Sequence, residues 1–204
     1  GDHRDLHPFP TRRSSDLADQ QNAIDQYIGA GKEVLDTPVL LLDLDVLERN
    51  ILKMSKTIIG EAGVGWRPHT KAMKNPDLAR LCLDAGAHGV TCAKLGEAEV
   101  MADGGITDIL VANEIVGAKK IARLVDLCKR ADIMVCVDQL DNAQQIDKAA
   151  RAAGVRPRVL VEVDVGMGRA GIQPGAAAVE LASQVSGLGR SEEHTSELQS
   201  RAYL

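Results

Sequence analysis

Aromatic residues are nearly missing from this chain, at 2% of 204 residues: one Phe, one Trp and two Tyr. Any core must therefore be aliphatic, with Trp66 as its one large ring, because Phe9 and Tyr203 lie near the ends. No apolar run is long enough to span a bilayer, and the first residues hold no apolar segment resembling a signal peptide. There is no basic stripe, and the net charge is -5, so neither a membrane nor a nucleic acid is expected as partner. Cysteine is sparse. Cys82, Cys92, Cys128 and Cys136 are widely spaced within apolar stretches and fit no zinc pattern. Without a secretion signal they read as reduced core thiols rather than a disulfide framework. What remains is an ordinary globular balance, 45% hydrophobic, expected to be soluble and cytoplasmic.

The two ends stand apart. Residues 9–17 and 190–200 read as translated sequencing-adapter DNA, so residues 1–17 and 190–204 are expected to be artefactual and disordered. His3, His7 and His194 then carry no weight as ligands. Residues 18–35 form a lead-in, and residues 36–189 form the domain, which is expected to be cut off at its carboxyl end.

Within that domain apolar strands alternate with amphipathic helices. Expected strands are Val39 to Leu42, Gly65 to Arg67, Gly89 to Cys92, Ile109 to Ala112, Ile133 to Val137 and Val159 to Val163. Expected helices are Asp45 to Ile59, Pro76 to Ala85, Leu95 to Ala102, Ala118 to Arg130, Leu140 to Ala153 and Gly175 to about Val185. About six successive β-α units predict an α/β fold with a parallel sheet. Either an open doubly wound sheet or a (β/α)8 barrel fits the alternation. Polar residues gather where successive strands end: His69 and Lys71, Thr91, Asn113, Asp138, Asp164 and Arg169. That favours a TIM-type barrel mouth, truncated after about six units.

The chemistry concentrates in Arg67-Pro68-His69-Thr70-Lys71, with Lys74 one turn later. Pro68 keeps Arg67 extended, and Asn75-Pro76 restarts a helix with a cap and a first-turn proline. A lysine on such a strand-end loop is placed for Schiff-base chemistry, and neighbouring positive charge would make its amine more nucleophilic. Gly166-Met167-Gly168-Arg169-Ala170-Gly171 fits G-x-G-x-x-G, but it follows the last strand and no helix opens within it, so the dinucleotide reading is weak. Two readings stay open: a loop that aims Arg169 at an anion, and a loop with no ligand. Glu97 and Glu99 complement a helix dipole. Asp138, Asp43 and Asp45 read as helix caps, though the last two could also line the mouth.

Five segments occur in a telling order: Asp36-Thr37-Pro38, Leu42 to Asp45, Arg67 to Lys71, Lys94 to Glu99, and Val163 to Gly171. Together they resemble the fold-type III pyridoxal-phosphate enzymes, the alanine racemase amino-terminal domain superfamily. Within it the likeness is to the D-threonine aldolase and D-serine dehydratase-like group, which includes 3-hydroxy-D-aspartate aldolases. The resemblance implies that Lys71 forms the Schiff base with pyridoxal 5'-phosphate. It places Arg169 near the cofactor's phenolic oxygen and the substrate carboxylate, and gives His69 and Arg67 the task of orienting or polarising the site. Lys71 and His69 would be catalytic; Lys71, Arg169 and Arg67 would hold the cofactor. The resemblance further implies a small-molecule D-amino acid substrate and a homodimer when intact. It also implies a divalent metal, Mn or Mg, held by a histidine and an aspartate of a carboxyl-terminal β-domain. That domain lies outside this sequence, so no metal ligand is assigned here. The implied reaction is retro-aldol cleavage of β-hydroxy D-amino acids. The alternatives are β-elimination from D-serine or 3-hydroxyaspartate, racemisation, and a non-catalytic cofactor carrier. This chain by itself is expected to be inactive.

Overall fold

The computed structural model describes residues 25 and 27–188. The adapter-like ends and residues 18–24 and 26 of the lead-in lie outside the described residues. Residues up to 44 and residues from 45 onward form two compact units. In the first, a 3-10 turn spans Lys32–Val34. The apolar run 39–42, expected as a buried strand, has no regular secondary structure there, and Leu40 is 99% exposed. Apolar character alone does not make a strand. A backbone ladder needs a neighbour in register, and among the described residues none pairs with this segment.

The second unit is built from repeated β-α units. Helix α1 (Leu44–Ser55) runs into a π-helical segment, Lys56–Glu61. Then follow α2 (Pro76–Asp84), β1 (Val90–Cys92), α3 (Leu95–Asp103), β2 (Asp108–Glu114), α4 (Ala118–Leu127), β3 (Asp132–Val137), α5 (Leu140–Ala153), β4 (Arg158–Val161) and α6 (Ala176–Leu188). The sheet has the order β1-β2-β3-β4, and every pairing is parallel. The fold class is thus the expected α/β with a parallel sheet, but four strands are paired where six were expected. Among the described residues the sheet does not close on itself.

The sequence explains the local choices. Asn75 caps α2, its Oδ1 accepting from Asp77 N at 2.7 Å and Leu78 N at 3.2 Å, with Pro76 in the first turn. That satisfies donors which the helix leaves open. Gly154 ends α5 in the left-handed region at φ 66°, where a side chain would be strained. Ile109, Val111, Ile133, Val135 and Val137 pack with Leu95, Met101, Leu124, Leu127 and Ile146 of the helices in one aliphatic core. Each such side chain contributes about 1.5–3 kcal/mol by leaving water. Trp66 anchors a smaller cluster with Ile51, Cys82 and Ala87.

The four thiols are free, as expected. Burial pushes Cys136 up to about 12, helped by Glu162, and Cys128 up to about 11. Burial also raises Cys82 and Cys92. They are inert core groups.

Candidate functional site

The segment before Lys71 is not one of the four named strands, yet its backbone runs beside β1. His88 N donates to Trp66 O at 2.9 Å, Thr91 N to Pro68 O at 2.8 Å, and Thr70 N to Thr91 O at 2.7 Å. His69 and Thr91 form a parallel bridge. Thr70 then pins the turn over residues 70–73. It is fully buried, and its hydroxyl donates to Thr91 O at 3.0 Å, with Cys92 Sγ at 3.4 Å. Alternation along an extended chain puts Thr70 inward and its neighbours outward. Lys71 and His69 are accordingly exposed. Sequence reasoning gave Thr70 no role, although its position between two candidate site residues on that alternation was the available signal.

Lys71 N donates to His69 Nδ1 at 3.3 Å. An Nδ1 that accepts leaves the ring proton on Nε2. Burial and the positive charge of Lys71 hold His69 below its ordinary 6.5, against an opposing pull from Glu97. Among the described residues, Lys71 forms no side-chain ion pair. Lys74 differs: its Nζ lies 3.5 Å from Glu97 Oε1. Glu97 is more than a dipole partner, because its Oε2 also accepts from Ala93 N at 2.8 Å. Glu99 is paired with Arg123.

Arg67 is not brought to Lys71. Its guanidinium turns to the amino-terminal end of β2, 2.9 Å from Asp108 Oδ2. Asp108 also meets Arg158, which bonds Asp132 at 2.8 Å. Burial by itself would raise the Asp108 carboxyl, but Arg67 and Arg158 outweigh it and hold it below the usual range. Gly89 is required here, since a Cβ would lie 2.3 Å from the backbone carbonyl oxygen of Asp108.

Arg169 sits on the loop after β4, at the same carboxyl-terminal edge as Lys71. The segment that carries Lys71 flanks β1 and so lies four strand spacings from β4, which separates the two positions by roughly 19 Å along the sheet. The loop is shaped by Asp164, whose Oδ1 accepts from Gly166 N and Gly168 N at 3.0 Å each. Those bonds hold its carboxyl below the usual range. Gly171 N donates to Asp138 Oδ2 at 3.1 Å. This corrects the capping role expected for Asp138. Gln139 occupies the N-cap of α5, and Asp138 instead ties the glycine loop to the end of β3. Asp45 does lie in the first turn of α1. A cavity of about 180 Å³ is lined by Glu162, Asp164, Met167, Arg169 and their neighbours.

Glu114 was also overlooked. The β2–β3 pairing shifts register between Val111 and Glu114, which sets Glu114 opposite Cys136. Such a bulge re-aims a side chain. Glu114 Oε1 is buried and has no hydrogen-bond partner among the described residues. Burial, with the negative charges of Glu162 and Asp138, raises its carboxyl above the ordinary 4.5. Among the described residues no group of three His, Cys, Asp or Glu side chains could hold a metal ion, and no helix is long and apolar enough to cross a membrane.

Along one edge of a parallel α/β sheet lie a lysine without a side-chain ion pair among the described residues, a histidine and a glycine-arginine loop. The chain belongs to the alanine racemase, N-terminal domain family, which matches residues 42–194. It is 43% identical over 154 residues to a D-threonine aldolase of Arthrobacter sp, covering 76% of this chain and 40% of that protein. It is 42% identical over 156 residues to a 3-hydroxy-D-aspartate aldolase of Paracoccus denitrificans, with the same two coverages of 76% and 40%. Among solved structures, the D-threonine aldolase from Filomicrobium marinum superposes with a TM-score of 0.72 at 44% identity, over 74% of this chain and 41% of that one. The chain thus spans about 40% of the length of the curated relatives it matches.

Proposed function

We propose that this chain carries the cofactor-lysine site of a pyridoxal-phosphate-dependent lyase that cleaves the Cα–Cβ bond of β-hydroxy D-amino acids. The observation that carries the reading is Lys71, exposed and without a side-chain ion pair among the described residues, on a turn pinned by buried Thr70. That amine at a strand's carboxyl end fits an aldehyde-bearing cofactor. The similarity to a D-threonine aldolase and a 3-hydroxy-D-aspartate aldolase supports the substrate class. Pyridoxal phosphate, when bound, supplies the electron sink for the carbanion left by bond cleavage.

The chain's own residues have narrower tasks. Lys71 provides the nucleophilic nitrogen. His69, neutral and with its proton on Nε2, offers a donor beside that amine. Arg169 faces an anionic group from across the strand ends. Arg67 is bound to Asp108 and acts on the site only through the fold.

The test is reductive trapping. The 204-residue chain is incubated with pyridoxal phosphate, reduced with borohydride, and mapped by peptide mass spectrometry. The expected result is a reduced adduct on Lys71 that Lys71→Ala removes while circular dichroism is unchanged. A folded chain with no adduct on Lys71 sinks the reading.

A further inference from the structure

Two lysines stand three residues apart on the same turn, and only one can be the attachment point. We propose that Glu97 selects between them, holding Lys74 out of amine chemistry and leaving Lys71 as the nucleophile. The proposal rests on the reading above for the identity of the aldehyde, and it deepens that reading by naming a specificity-determining residue.

The geometry gives Glu97 the means. Its side chain is only 10% exposed, whereas that of Lys74 is 58% exposed. Its Oε2 is fixed by Ala93 N at 2.8 Å, at the end of β1. Its Oε1 is left to face Lys74 Nζ at 3.5 Å. A carboxylate already held by the backbone loses little freedom in pairing, so its charge is preorganised for the ammonium. Lys74 is also fixed from its own backbone. It has φ 45°, in the left-handed region that a residue with a side chain enters at a cost, and its N donates to Thr70 O at 2.8 Å. Thr70 is itself tied to Thr91 and Cys92. The chain therefore presents Lys74 to Glu97 as a constrained pair. Lys71 lies one residue beyond Thr70, on the exposed side.

The chemistry follows from which amine is free of a partner. A neutral amine attacks the aldehyde carbon; the nitrogen–carbon bond forms and the aldehyde oxygen leaves as water. Borohydride then delivers hydride to that carbon and fixes the product. A nitrogen engaged by a carboxylate must first break that pair before it can attack.

Two measurements on the 204-residue chain test this. The first is trace labelling with acetic anhydride, which needs no cofactor. In the unaltered chain, Lys74 should label more slowly than Lys71 and than Lys119, an exposed lysine. In Glu97→Gln, where the amide oxygen can still accept from Ala93 N, labelling of Lys74 alone should rise, roughly threefold for a half-exposed pair. Glu97→Asp, which keeps the charge, should restore part of the difference. The second measurement is borohydride trapping with pyridoxal phosphate: Glu97→Gln should shift adduct from Lys71 toward Lys74.

Equal labelling of Lys71, Lys74 and Lys119 in the unaltered chain overturns the proposal even if the variant does not fold. So does a rise at both turn lysines together, which marks a merely structural role for Glu97. Selective acetylation with no cofactor adduct anywhere leaves Glu97 as the selector and sinks only the cofactor reading.

Discussion

At the amino-terminal ends of the strands, charge is fully partnered. Arg67 on the segment before β1, Asp108 on β2, Arg158 on β4 and Asp132 on β3 form a chain of ion pairs, each within hydrogen-bond reach of the next. At the carboxyl-terminal ends the pattern reverses. Lys71 has no ion pair among the described residues, Glu114 keeps a buried oxygen without a partner, and Glu114, Glu162 and Asp138 repel one another. The carboxyls respond in opposite directions, with Asp108 below its ordinary value and Glu114 above it. Groups satisfied at one end hold the sheet together. Groups left unsatisfied at the other are available to something that binds. In barrel proteins the same division separates the stabilising face from the reactive one.

The comparison is broken most forcefully at Asp108. Asp108→Ala leaves two half-buried guanidinium groups facing each other and should cost about 2 kcal/mol, after discount for their exposure; urea denaturation reads it. The pH dependence has a definite sign. Because the folded carboxyl titrates below its ordinary 3.8, its contribution is full above that value and is lost as pH falls through the folded value. Asp108→Asn should flatten that acid limb. Next is Gly171→Ala. Gly171 has φ 102°, and a Cβ would lie 2.5 Å from Asp164 N. The strain should cost about 1–2 kcal/mol and displace the Arg169 loop, seen as faster amide exchange at Gly166 and Gly168. The smallest effect is at the other end and has the opposite sign. A raised carboxyl makes the folded state less stable as pH climbs from 4.5 through the folded value. Glu114→Gln should therefore stabilise the chain at neutral pH, by about 0.5 kcal/mol given its partial exposure. A destabilised Glu114→Gln would mean that this end is as well satisfied as the first.

Much of this was legible from the residues. Helix α5 was read over its full span, Leu140 to Ala153, and the structure closes it at Gly154 in the left-handed region. Lys71 and His69 lie where proline and a capped helix end the extended segment, as the residues between 67 and 76 foretold. Arg67 misled for a geometric reason. Four residues of extended chain span roughly 13 Å, so a neighbour in sequence reaches the other end of the strands. Asp138 misled because a carboxylate before a helix reads as a cap, while its actual partner, Gly171, lies 33 residues on. The run 39–42 showed apolar character but not a partner, and pairing is a property of two segments.

Cys92 and Cys136 lie on β1 and β3, 0% and 7% exposed, with thiols held protonated. Alkylating reagents consume thiolates, so in the intact sheet these two sulfurs are silent. Modification can proceed only during excursions in which strands part, at a rate set by how often that happens. The native molecule therefore carries its own opening gauge on either side of β2. Unequal modification of Cys92 and Cys136 would tell which flank of the sheet breathes first, with no label introduced and no residue replaced.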